Sequence, residues 1–185
     1  MNNKNTTFLE TRVNAEFAIR LDHVGLRVAD LEKTVPFYQE ILRMNVLSMV
    51  TGDYAHLSFA GSNRKILSLI EEESTSQTAM LGHPGERGHF ALEVATLKGF
   101  YDFFKRVKES NRECRFKAID HEVSWTIYVD DPDSNNIEVF LWRNSENLQD
   151  EVAPVAVWRG ATRFLAEEAI EEEYRRYYSD SNSRS

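Results

Sequence analysis

One order of predicted elements occurs twice along the chain, and this repeat restricts the fold more than any other feature. A strand pattern over residues 21–28 leads into a helix pattern in which Leu31, Val35, Tyr38, Ile41 and Leu42 recur at helical spacing. Three short strand patterns follow at 45–50, 54–60 and 65–70, separated by Gly52-Asp53 and Gly61-Ser62-Asn63. The same β-α-β-β-β order then returns. It has a strand over 88–95, a helix marked by Leu97, Phe100, Tyr101, Phe104 and Val107, and strands over 113–119, 123–129 and 136–142. The openings of the two units also match: Asp22-His23-Val24-Gly25-Leu26 against Gly88-His89-Phe90-Ala91-Leu92. A unit that cannot cover its own sheet face is expected to pair with its copy. The predicted class is therefore α+β: two tandem βαβββ modules forming an open cup-shaped sheet, plus a C-terminal helix.

The expected division is an N-terminal extension (1–20), a first module (21–71), a connecting loop (72–87), a second module (88–143) and a C-terminal extension (144–185). Pro36 fits the first helix if its regular part starts near Thr34, which can cap it and leave Pro36 in the first turn. The connecting loop is polar, holds Gly82, Pro84 and Gly85, and is long enough to serve as a lid. Beyond it, residues 152–158 and a helix from Ala161 to about Tyr178 are expected, with Phe164, Leu165, Ala169, Ile170, Tyr174 and Tyr177 in one apolar stripe. That stripe is expected to dock on the body or on a second subunit, and residues 179–185 to be disordered.

Charge and composition remove several functions. The net charge of -8 disfavours nucleic acid and anionic membrane as partners. No apolar run approaches the roughly 20 residues needed to span a bilayer, and the first 20 residues lack the apolar core of a signal peptide. A single cysteine, Cys114, forbids an intramolecular disulfide and suits a reducing cytoplasm, the expected location. Nothing near Cys114 marks it as a nucleophile.

Strand alternation sorts the chemistry-bearing residues. Val24, Leu26 and Val28 share one face, with His23 and Gly25 on the other. Phe90, Leu92 and Val94 likewise oppose His89 and Ala91, and Val139 and Leu141 oppose Glu138, Phe140 and Trp142. With the aliphatic faces under the helices, His23, His89 and Glu138 fall on a shared concave surface. Two imidazoles and a carboxylate on three strands form a 2-His-1-carboxylate set, which holds an octahedral metal and leaves positions open.

The run Leu-Asp-His-Val-Gly-Leu-Arg-Val-Ala-Asp-Leu-Glu-Lys-Thr-Val-Pro-Phe-Tyr-Gln-Glu-Ile-Leu, residues 21–42, resembles the opening of the vicinal oxygen chelate superfamily. That superfamily includes glyoxalase I, methylmalonyl-CoA epimerase, fosfomycin- and bleomycin-resistance proteins and extradiol dioxygenases. The likeness extends over residues 21–142. It implies metal ligands at His23, His89 and Glu138. Glyoxalase-like members usually take a fourth ligand from the last strand of the first module. Pairing Ile66-Leu67-Ser68-Leu69 with Ile137-Glu138-Val139-Phe140 places Leu67 there, and leucine cannot coordinate.

A second run, Ile119, His121, Ile127, Tyr128, Asp131, Pro132 and Glu138, resembles the pattern of single-domain type I extradiol dioxygenases. Ser134 stands where that pattern usually has Gly or Pro. The resemblance implies cleavage of a catechol-like aromatic substrate by O2 with Fe(II), or Mn(II) in its place. Tyr128 would hydrogen-bond a substrate oxygen and His121 would orient a hydroxyl or move a proton. His83 is the one loop histidine available as a further acid-base group. His56, Phe140 and Trp142 are further pocket candidates, the last two as an apolar wall. Two other readings stay open: a metal-dependent isomerase, lyase or transferase using the same ligands without O2, and a non-catalytic small-molecule binder of the resistance type. Modules pair across dimers in this superfamily, so a homodimer is also admitted.

Overall fold

The computed structural model describes residues 21–72, 88–110, 112, 114–143 and 163–182. The first module contains β1 (Val24–Val28), α1 (Leu31–Ile41), β2 (Met44–Val50), β3 (Tyr54–Phe59) and β4 (Leu67–Glu71). The second contains β5 (His89–Glu93), α2 (Leu97–Glu109), β6 (Phe116–Asp120), β7 (Ser124–Asp130) and β8 (Asn136–Trp142). β9 (Arg163–Phe164) and α3 (Glu167–Asn182) complete the chain.

Both modules have the same topology. The first sheet runs β1-β4-β3-β2 and the second β5-β8-β7-β6, extended at its far edge by β9. In each, the first and last strands pair in parallel and the rest are antiparallel. The helices cover one face of the sheets. Leu57, Leu67, Leu69, Ile127, Ile137 and Val139 point inward to join Val35, Tyr38, Ile41, Phe100, Phe104 and Val107 in one core shared by both modules. Each such side chain contributes about 1.5–3 kcal/mol through burial.

Local chemistry explains the helix ends. α1 starts at Leu31, a turn earlier than Thr34, because Asp30 caps it by accepting from the amides of Glu32 and Lys33. Pro36 is consequently inside the helix. Thr34 is buried and donates instead to Asp133 of the second module. Thr96 caps α2 through the Gly99 amide.

The turn between β7 and β8 joins the modules. Asp133 accepts from the Ala29 amide at 2.8 Å and the Thr34 hydroxyl at 2.6 Å. The Tyr38 hydroxyl donates to Asp131 at 2.9 Å, and the Asn135 amide group donates to the Arg27 carbonyl at 3.2 Å. On the other side, Arg106 donates to the Ile41 carbonyl and Arg112 grips Glu40 with two nitrogens.

The C-terminal segment departs from the expected helix over 161–178. Arg163–Phe164 is a strand, so Phe164 leaves the helical stripe; the helix runs from 167 to 182 and takes in part of the expected disordered tail. Ile170 is fully buried, and the Tyr174 ring stacks on Tyr101 at 3.9 Å. The helix thus docks on the body. Residues 152–158, most of the connecting loop and the last three residues lie outside the described residues.

Candidate metal and substrate site

The open face of the second sheet is read from its register. Ala91, Glu138, Tyr128 and Lys117 form one rung across β5, β8, β7 and β6. His89 lies on the same face of β5, two residues before Ala91, so alternation brings it beside Glu138. Its Nε2 is 2.8 Å from Glu138 Oε2. The Thr126 hydroxyl donates to the other carboxylate oxygen at 3.3 Å, which orients the carboxylate. Glu138 side-chain exposure is 13%, that of His89 29%; the pair is sheltered yet reachable.

Tyr128 adjoins this pair. Its ring meets His89 edge-to-face with centroids 5.4 Å apart. Burial, and secondarily the Glu138 charge, raise its phenol above the ordinary tyrosine range. The His121 Nε2 is 3.4 Å from the Tyr128 hydroxyl. His89, Glu138, Tyr128 and His121 therefore form a continuous polar line. Phe140 and Trp142, edge-to-face at 5.2 Å, follow Glu138 on its face of β8.

His23 is placed differently. Its Nδ1 pairs with Asp22 at 2.7 Å, and among the described residues no three His, Cys, Asp or Glu side chains gather as a metal-holding group. One chain thus brings together two of the three expected ligands. His23 lines a mostly apolar pocket of about 400 Å³ with Val24, Phe59, Ile66, Phe90 and Leu92, which reaches Ala91 of the same rung. His83 lies outside the described residues.

The first sheet holds a counterpart of that rung. Glu138 lies opposite Ala91, two residues beyond His89, and Ser68 lies opposite Gly25, two beyond His23. Ser68, and not Leu67, is therefore the counterpart of Glu138; Leu67 points into the core and is 1% exposed. Adjacent strand residues point to opposite faces, so one residue separates the open-face position from the core. The rung continues to His56 and Ser48, whose side chains meet at 3.1 Å. His56 thus occupies the place that Tyr128 has in the second module. Burial, then Lys65 and His23, lower its pKa.

His89 and Glu138 fit a divalent first-row ion in donor type, one imidazole nitrogen and one carboxylate. Asn136, across the ladder from His89, also keeps a buried side-chain oxygen without a hydrogen-bond partner among the described residues. That acceptor suits a water or other donor beside the pair.

The comparisons agree with this architecture. Residues 20–139 match the model of the glyoxalase/bleomycin resistance protein/dioxygenase superfamily, and the chain belongs to that superfamily. A lactoylglutathione lyase of Neisseria meningitidis is 32% identical over 69% of this chain and 93% of its own length. A probable trivalent organoarsenical cleaving enzyme of Bacillus subtilis is 26% identical over 69% of this chain and 83% of its own. A fosfomycin resistance protein of Listeria monocytogenes, solved with Mn(II) and a dihydroxypropylphosphonic acid, shares the fold with a TM-score of 0.53. It is 18% identical over 71% of this chain and 98% of its own. Among the described residues no helix is long and apolar enough to cross a membrane.

Proposed function

We propose that this protein is a metal-dependent enzyme of the glyoxalase-like kind, an isomerase, lyase or transferase acting on a small substrate through two neighbouring oxygens. His89 and Glu138 would hold the ion, Mn(II) or Fe(II), with a third ligand supplied across a homodimer, because His23 of the same chain pairs with Asp22 instead. The contact of His89 with Glu138 beneath Tyr128 carries this reading. The relative named a lactoylglutathione lyase favours chemistry without O2.

A bound divalent ion would supply Lewis acidity to the substrate oxygens. The protein's own residues do the rest. Tyr128 donates a hydrogen bond to a substrate oxygen, and His121 takes or returns a proton at its Nε2, within reach of that hydroxyl. Thr126 keeps the carboxylate of Glu138 oriented. Phe140 and Trp142 hold water away from the reacting end.

A second reading, a type I extradiol dioxygenase using Fe(II) and O2 on a catechol, is favoured by one observation: His121 meets Tyr128 on the face of Glu138. Two assays separate them, anaerobic turnover of lactoylglutathione and aerobic screening of a catechol panel for a yellow ring-fission product. Either reading requires the ion. His89→Ala should bind Mn(II) at least about tenfold more weakly with an unchanged melting temperature. Full metal loading in that variant removes His89 from the site.

A further inference from the structure

The family match stops at residue 139, before β9 and α3, so nothing in the superfamily resemblance accounts for these elements. They have a consequence for the open face. β9 pairs with β6 so that Phe164 lies opposite Ile119. Ile119 shares a face with Lys117, and Lys117 lies opposite Tyr128. Phe164 is therefore delivered to the sheet face that carries Glu138 and His89.

The position is built rather than incidental. The Leu165 amide donates to the Ala118 carbonyl, and Leu165 itself is buried on the helix side. Glu167 pairs with Lys108 at 2.8 Å, and Ile170 and Tyr174 fasten α3 to α2. With its neighbour so anchored, Phe164 is nevertheless 82% exposed.

The ammonium of Lys117 lies 4.7 Å from the centre of the Phe164 ring. Lys33, Lys98, Lys105 and Lys108 each pair with a carboxylate. Half-buried Lys117, like Lys65, has no carboxylate within 4 Å among the described residues, and unlike Lys65 its ammonium rests on an aromatic ring. An aromatic face steadies a cation without neutralising it. In a chain of net charge -8, such a cation keeps its charge available to an incoming anion.

We infer that Phe164 and Lys117 form a second subsite of the active face, which takes an anionic group carried on a flat, apolar body of the substrate. The inference rests on the proposal that this face receives substrate. β6 and β8 are two strands apart, so about 10 Å separates the backbone of Lys117 from that of Glu138. A substrate that chelates at one end and carries a carboxylate or phosphonate at the other spans that distance.

Benzoate is a suitable probe and benzamide its neutral analogue, titrated by amide NMR into full-length, EDTA-treated protein. Benzoate should shift the amides of Ile119 and Phe164 and bind more tightly than benzamide. Lys117→Gln and Phe164→Ala should each weaken benzoate about tenfold, the first by losing a charge-assisted contact and the second by losing an aromatic face. Lys117→Arg should restore it, and benzamide should ignore Lys117→Gln. Benzoate binding that is indifferent to both variants, or located elsewhere, overturns the subsite. So does a wild-type dimer that Phe164→Asp converts to monomer while benzoate binding is unchanged, since the face is then an interface between copies. His89→Ala separates the two proposals: it should weaken Mn(II) binding at least about tenfold and leave benzoate untouched, whereas a failed metal site leaves the benzoate result standing.

Discussion

Asp131 offers a quantitative check on how the modules are joined. It is 4% exposed and accepts from the Tyr38 hydroxyl, from the amides of Asp133 and Asn135, and from the Asn135 side chain. Burial pushes its pKa from 3.8 up to about 6, helped by Asp133 and resisted by the hydrogen bonds. A raised pKa means that the folded state holds the proton more tightly than the unfolded chain. The stabilisation is fully present below 3.8, is lost as pH rises, and is gone above about 6. The interval corresponds to about 3 kcal/mol. Asp131→Asn removes the titration while keeping the volume and the acceptor for the turn amides. Urea unfolding followed by tryptophan fluorescence at pH 4, 5, 6 and 7 gives the difference in stability between the two proteins. Relative to wild type, the variant should gain about 2.5 kcal/mol across that range, whatever the offset at pH 4. A flat difference would refute a buried, protonatable Asp131 and with it the account of the junction.

Ser134 has φ 66°, a left-handed conformation costly for serine. Ser134→Gly should raise stability by about 0.5 kcal/mol, read as a higher urea midpoint, and a lower midpoint contradicts the strain. Tyr128→Phe should slow turnover about tenfold or more at unchanged metal content; unchanged turnover removes the hydroxyl from the mechanism. Tyr174→Ala should cost about 1 kcal/mol and speed proteolysis within α3, since the stacked Tyr101 loses its partner. Equal cleavage rates would show that α3 is held without that ring.

Much of the site could be read along the chain. Alternation put His89 and Glu138 on one face because strand period is invariant, and both are there. The twice-used element order defined both sheets, since each unit repeats the same local hydrophobic code. The unusual Ser134 in the Asp-Pro turn corresponds to the left-handed residue that glycine would fill more cheaply.

Other features depend on partners far apart in residue number. Ser68 rather than Leu67 is the counterpart of Glu138, and only ladder register decides that, because adjacent residues point to opposite faces. His23 matches His89 in the residue string, yet its side chain turns to Asp22 and an apolar pocket. The hydrogen bonds of Asp131 and Asp133 to Tyr38, Thr34 and Ala29 cross 93 to 104 residues. Phe164 looked like one more member of a helical stripe, but pairing with β6 made it a strand residue on the face of Glu138 and Tyr128. Periodicity carries only local geometry, whereas these positions are set by which surfaces the folded chain presses together.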